Sequence, residues 1–321
     1  MAPAAGPGPS IEAAPSAARV RPRHRLEYAG FLLAYGLLAA LPLGVTMPVA
    51  AAVAATIIRV APRLRRIGLT NLAIAFPEKS KRERMAILVA SWRNLGRTVA
   101  ELGHVRRLTA ANVHAVVRIE PEAPWREMVA HERALVFTGH FGNWELCHVV
   151  HGLLGYPVHL VHQTIKNPLI DAFVERLRSH GGTRLLRKNA AARGVLRALT
   201  RERGITVLPL DQNASRRTGV FVDFFGRPAS TNAGFGRIVL RTGVPVYPAF
   251  LLREGTSARH RIVILPRVSF ASMADPDRAA VDVTQRCTAV LEEMIRTHPD
   301  HWLWTHKRWR TRPLGEPELY G

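Results

Sequence analysis

The sequence predicts an α/β protein: a mixed, mostly buried sheet flanked by helices, preceded by an N-terminal membrane helix. Two observations predict it. From Ala134 onward, short apolar runs alternate with amphipathic stretches, the pattern of strands and helices layered around one sheet. Before that, Tyr28 to Ile58 carries no charged residue, and roughly 20 apolar residues suffice to cross a bilayer.

In chain order, "MAPAAGPGPSIEAAPSAA" is Ala-, Pro-, Gly- and Ser-rich, and with the arginines of "RVRPRHR" it reads as a disordered basic tail over residues 1–25. Residues 26–60 read as a membrane anchor segment. Pro42, Gly44 and Pro48 interrupt it, so it is either one tilted span or a shallow hairpin broken near Pro42. Arg59, Arg63, Arg65 and Arg66 follow at once, and arginines on both flanks fit a retained element better than a cleaved signal peptide. Residues 61–321 form the remaining domain. A helix starting near Ser80 keeps an apolar stripe at Met85, Leu88, Val89, Trp92, Leu95 and Val99. "ALVFT", "VHLVH", "ITVLPLD", "VFVDFF", "VPVYPAFL" and "HRIVIL" read as strands. "WELCHVVHGLL", "NPLIDAFVERLRSHGG", "AARGVLRALTRE" and "DVTQRCTAVLEEMIRTH" read as helices, and so does "STNAGFGRIVLRTG", opened by its Ser/Thr pair.

The chain of 321 residues has 45 Lys+Arg against 24 Asp+Glu, a net charge of +21, which favours an anionic partner. Its two cysteines, Cys147 and Cys287, do not make a disulfide framework. "HWLWTHKRWR" interleaves aromatics with bases. That pattern suits single-stranded nucleic acid or a membrane interface, and the apolar N-terminus favours the membrane and no nucleic acid.

"TGHFGNWELCH" follows a strand and opens a helix, where α/β proteins place binding sites. His140 and Glu145 would lie about 140° apart on a continuous helix. They meet only if His140 sits in the turn before the helix, which Gly139 and Gly142 permit and Asn143 caps. Zinc at His140, His148 and His151 is disfavoured because the spacing matches no zinc signature, and Cys147 reads as packing. The stronger reading is a general base, His140, oriented by Glu145. It needs neither metal nor cofactor.

"GHFGNWE" resembles the H-x4-D/E signature of glycerolipid acyltransferases. "NLAIAFPEKSKRER", "NLGRTVAEL", "KNPLIDAFVERLRSHGG", "LDQNASRRTGVFVDFFGRPASTNAGFGRIVLRTGVPVYPAF" and "HPDHWLWTHKRWR" are similar, in order, to blocks of the bacterial lipid A late acyltransferases. The resemblance implies a glycerolipid acyltransferase-like fold. It also implies transfer of an acyl chain from an acyl-acyl carrier protein to a hydroxyl of a lipid A precursor, at the cytoplasmic face of the inner membrane. His140 would take the hydroxyl proton and Glu145 would hold His140. Backbone N–H groups near Gly142 and Asn143 are candidates to meet the thioester oxygen, and so is a nearby Lys or Arg. Asp211 would shape the site or bind the acceptor. Gly226, Arg227 and Ser230/Thr231 of "FFGRPAST" would form a second substrate block, the Ser/Thr pair capping a helix. Many members carry an arginine where Gln163 stands, which leaves Lys166, or Arg176 or Arg178 on the next helix, to meet phosphate. Two other functions remain open at this level: acyl transfer to another glycolipid, such as a phosphatidylinositol mannoside, and a non-catalytic membrane-anchored binder of anionic polymers.

Overall fold

The computed structural model describes residues 20–187 and 191–320. The expected disordered tail lies mostly outside them, and its described end is already helical: α1 begins at Pro22. The elements are α1 (Pro22–Ala40), α2 (Leu43–Val60), α3 (Pro62–Ala75), α4 (Lys81–Leu102), α5 (Val113–Val116), β1 (Val117–Ile119), α6 (Glu122–Ala130), β2 (Arg133–Thr138), α7 (Trp144–Leu153), β3 (Val158–His162), α8 (Pro168–Arg178), β4 (Arg184–Arg187), α9 (Ala191–Arg201), β5 (Gly204–Pro209), β6 (Gly219–Phe224), β7 (Arg227–Asn232), α10 (Gly234–Thr242), β8 (Val246–Arg253), β9 (His260–Ile264) and α11 (Pro276–Thr297).

Seven strands form one sheet in the order β1-β9-β8-β2-β5-β3-β4, and β6 and β7 form a separate antiparallel hairpin. The large sheet is mixed: β8 and β9 are antiparallel and the other pairs run parallel. β2 lies centrally, and its Ala134, Leu135, Val136 and Phe137 are buried. A strand buried on both faces is a continuous apolar run, which is how "ALVFT" reads.

Local chemistry sets the helix ends. Ser80 caps α4 and exchanges hydrogen bonds with Glu83 as a capping box. Asn167 caps α8 ahead of Pro168. The apolar N-terminal segment is broken at Leu41–Pro42 into α1 and α2. α2 is long and apolar enough to cross a membrane, and one face of it packs along α4.

Two expectations fail. "STN" does not open a helix: Ser230 and Thr231 lie in β7, and α10 starts at Gly234 behind Ala233. Ladder pairing with β6 satisfies their backbone, so no helix end is left there to cap. The tryptophans of "HWLWTHKRWR" face neither membrane nor solvent. Trp302, Trp304 and Trp309 are fully buried with Phe224, Phe225 and Phe76. Arg308 between them is buried too, donating to the Ser230 carbonyl and the Thr231 hydroxyl. Segment composition alone cannot separate an aromatic core from an aromatic surface.

Gly96 on α4 faces the backbone of α2, and a Cβ there would collide with the Ala50 carbonyl oxygen. Gly→Ala in a free helix stabilises by about 1 kcal/mol, but here the sign inverts. Gly96→Ala is expected to destabilise by about 1–3 kcal/mol through overpacking. A thermal melt in detergent checks this, and an unchanged or raised midpoint contradicts it.

Candidate active site

β2 and β5 run parallel with Thr138 opposite Pro209. Two residues beyond each strand end come His140 and Asp211, so the register sets them side by side. The Leu210 amide still donates to the Thr138 carbonyl at 2.8 Å, which carries the pairing past the strand ends. Asp211 accepts from the His140 backbone N–H (Oδ2, 2.7 Å) and meets His140 Nδ1 (Oδ1, 3.0 Å). Trp302 Nε1 donates to the same Oδ2 at 2.9 Å. Gly139 suits this closeness: a Cβ there would lie a tight 3.1 Å from Asp211 Oδ2.

Burial alone would lower the His140 pKa, but the Asp211 charge and hydrogen bond outweigh it and raise it. Burial would likewise raise the Asp211 carboxyl. The imidazole, the His140 amide and Trp302 instead hold it well below the carboxylate range. With a carboxylate on Nδ1, the imidazole carries its proton there and Nε2 keeps the lone pair. Gln212 Nε2 lies 3.2 Å from that nitrogen, and Trp144 stands edge-on to the ring.

The His140 Nδ1 faces Asp211 and not Glu145, although the Glu145 charge still acts on the imidazole. In the first turn of α7, Glu145 is held by Arg178 of α8, with Nε–Oε2 2.8 Å and Nη2–Oε1 2.5 Å. Burial would raise its pKa, but the Arg178 hydrogen bonds and charge lower it. The hydrogen-bond partner of the His140 ring expected from the sequence is thus replaced by Asp211. Spacing within one segment cannot register a partner from another strand.

The turn between β2 and α7 is pinned from several sides. Gly142 (φ +59°) donates to the His301 carbonyl at 2.8 Å, and the Asn143 N–H donates to the Leu251 carbonyl at 3.2 Å. These two N–H groups therefore already have partners, which corrects the expectation that they would meet a thioester oxygen. The Asn143 side chain caps α7 and donates to buried Glu101, so it supports the turn and does not face the cavity.

His140 and the Glu145–Arg178 pair line a cavity of about 660 Å³, with Asp211 buried behind the imidazole. Its lining includes His140, Gln212, Asn213 and the Glu145–Arg178 pair together with apolar Cys147, Leu160, Val207 and Leu208. Burial pushes the Cys147 thiol up to about 12 and His148 down to about 4, so neither is an ionised group at neutral pH. His148 Nδ1 faces Thr183, and His151 Nδ1 donates to the Cys147 carbonyl. Among the described residues, one group could bring three metal ligands within 4.8 Å, namely His162, Asp171 and Glu175, and Arg187 already pairs with Glu175 there.

The other expected contacts scatter. Lys166 is exposed and does not line this cavity, and exposed Arg176 lies over the Phe173 ring. Gly226 (φ +71°) and exposed Arg227 form the tip of the β6–β7 hairpin, while Thr231 is buried against Arg308. The opposite end of that hairpin, at Thr218 and Asn232, does reach the cavity. Gln212, Trp302 and the pairing of Arg178 with Glu145 escaped the sequence reading. The available signal for Gln212 was its place one residue beyond an acid at a strand end.

Comparison with known proteins identifies the family. The family model for bacterial lipid A biosynthesis acyltransferase matches residues 18–311. The chain is 26% identical to the lipid A biosynthesis lauroyltransferase of Escherichia coli strain K12, over 95% of this chain and 98% of that one. It is 27% identical to the palmitoleoyltransferase of the same strain (80% and 82%) and 23% identical to its myristoyltransferase (80% and 78%). The match, almost from end to end, makes this protein an acyltransferase of the bacterial lipid A biosynthesis acyltransferase family, and its cavity wall carries a histidine hydrogen-bonded to a buried carboxylate.

Proposed function

We propose that the chain moves a fatty acyl group from an acyl-acyl carrier protein to a hydroxyl of a lipid A precursor of the Kdo-lipid IVA type, at the cytoplasmic face of the inner membrane. The observation that carries this reading is the His140–Asp211 pair, whose imidazole lines an apolar cavity. His140 Nε2 takes the proton of the acceptor hydroxyl while Asp211 stabilises the imidazolium that forms. The freed oxygen attacks the thioester carbonyl carbon. As the tetrahedral intermediate collapses, the C–S bond breaks, the new ester remains, and the thiolate leaves with the proton held on His140.

Gln212 donates to the ring nitrogen in the empty site, and the acceptor hydroxyl takes that place. The Gln212 amide is then free to meet the developing oxyanion, with the Arg178 guanidinium as the nearest cation on the wall. Glu145 fixes Arg178 and adds a weaker, longer-range field on His140. The acyl chain fits against the apolar lining of Cys147, Leu160 and Val207. The net charge of +21 complements both an acidic carrier protein and anionic lipid.

The test is direct. Purified full-length protein in detergent is given radiolabelled lauroyl- or myristoyl-acyl carrier protein with Kdo-lipid IVA, and label should appear in the lipid. Label that enters only a phosphatidylinositol mannoside overturns the acceptor assignment. Label delivered only from acyl-coenzyme A overturns the donor. The steps above use no metal, so exhaustive chelation should leave the rate within about twofold. Loss with chelator and recovery with zinc would instead implicate His162, Asp171 and Glu175.

A further inference from the structure

The exposed large apolar side chains are concentrated at one place. Val45, Val49, Val53 and Ile57 recur at every fourth residue and form one face of α2, with Val49 57% and Val53 54% exposed. Leu33 and Leu37 of α1 are exposed as well. No charged residue interrupts this surface between Tyr28 and Ile58. An exposed apolar helix face of this kind marks an interaction site.

The opposite face of α2 is committed to the protein. Met47, Ala51, Ala54 and Ile58 are buried, and the most extensive helix–helix contact of the described chain is α2 with α4. Gly96 allows the two backbones to touch at Ala50, and Gly103, just past α4, sits against Leu38 of α1. If α2 crossed a bilayer, α4 would have to enter the hydrocarbon beside it. α4 carries Lys81, Arg82, Arg84, Arg93, Arg97 and Glu101, and Lys81, Arg82 and Arg93 are exposed. Charges at that depth are costly.

At the end of α2 lies a shallow groove of about 490 Å³ walled by Arg65, Arg66, Lys81 and Arg84. Exposed Arg21, Arg23 and Arg25 stand at the start of α1. Cations flanking an apolar helix face match a surface of apolar chains beneath anionic headgroups.

From this we infer that α1 and α2 do not span the membrane. They lie along one leaflet, with their exposed face in the acyl region and the basic groove on anionic headgroups. This rests on the membrane attachment proposed above and on no feature of the chemistry. It replaces the one-span and hairpin alternatives of the sequence with two surface helices, each fixed to the catalytic domain, α1 against α8 and α2 against α4.

The experiment reads location instead of turnover. Single cysteines are introduced as Leu41→Cys and Arg63→Cys, one before and one after α2. The full chain is expressed in cells, and sealed spheroplasts and inverted vesicles are treated with a membrane-impermeant maleimide. Native Cys287 is buried and Cys147 faces the interior, so both set a low background. Both new thiols should label in inverted vesicles and neither in spheroplasts. Labelling from opposite sides means that α2 spans, which overturns the inference and leaves membrane attachment standing.

In a second arm, the purified chain is floated with vesicles of phosphatidylcholine alone or mixed with phosphatidylglycerol. Binding should be stronger to the mixture, and the Val49→Asp/Val53→Asp variant should lose at least about tenfold in partitioning. Activity of this variant in detergent should be unchanged, because both positions lie outside the site. A chain that binds neither vesicle overturns the membrane reading itself. A chain that pairs with a second copy instead, without lipid, gives the apolar face to a dimer and overturns the inference as well.

Discussion

Asp211→Asn is expected to lower turnover by on the order of 10²–10⁴-fold and to shift the acid limb of the pH profile to lower pH. The carboxylate is what lifts the His140 pKa above its ordinary value against the effect of burial. Its loss leaves burial dominant, so the imidazole deprotonates at lower pH while losing the charge that stabilises its protonated form. His140→Ala removes the base and should cost about 10²-fold or more. The double mutant should be little worse than His140→Ala alone, because an orienting acid has nothing to act on once the base is gone. The acid limb of kcat/KM, measured for folded variants, separates this arrangement from the one the local sequence points to. Should Glu145→Gln move the limb far and Asp211→Asn leave it in place, the pairing described here is wrong.

Arg178→Met should destabilise the fold by about 1–3 kcal/mol, since it leaves the half-buried Glu145 carboxylate on the cavity wall without its counter-charge. Glu145→Gln should cost a comparable amount by stranding the guanidinium. The double variant Glu145→Gln/Arg178→Met removes both charges and should recover much of the loss. Denaturant unfolding of the detergent-solubilised chain measures all three. Strict additivity of the two single losses would dissolve the pair, because residues in direct contact are expected to couple. Activity should fall in both single variants through the cavity wall, and by less than in Asp211→Asn.

Much of the fold is legible in the chain because it is set locally. The apolar run of β2 is buried on both faces where the sheet is central. Ser80 with Glu83 starts α4, and Asn167 with Pro168 starts α8, where capping chemistry satisfies the first free N–H groups. The glycines and Asn143 around His140 define a turn before α7 from sequence alone, and the histidine stands in it as expected. Which groups face that histidine depends on partners far along the chain. Asp211 is 71 residues away and arrives only because β5 pairs with β2 in a register that ends both strands together. Strand pairing is written in backbone hydrogen bonds, which every residue but proline can make, so a period-2 pattern does not name its neighbour. Glu145 sits where spacing puts it, but α8 packs against α7 and delivers Arg178 at a shorter reach than His140. The three C-terminal tryptophans have the composition of an interface. They become core because α3, α4, α11 and the β6–β7 hairpin close around them, and only that packing removes their rings from water.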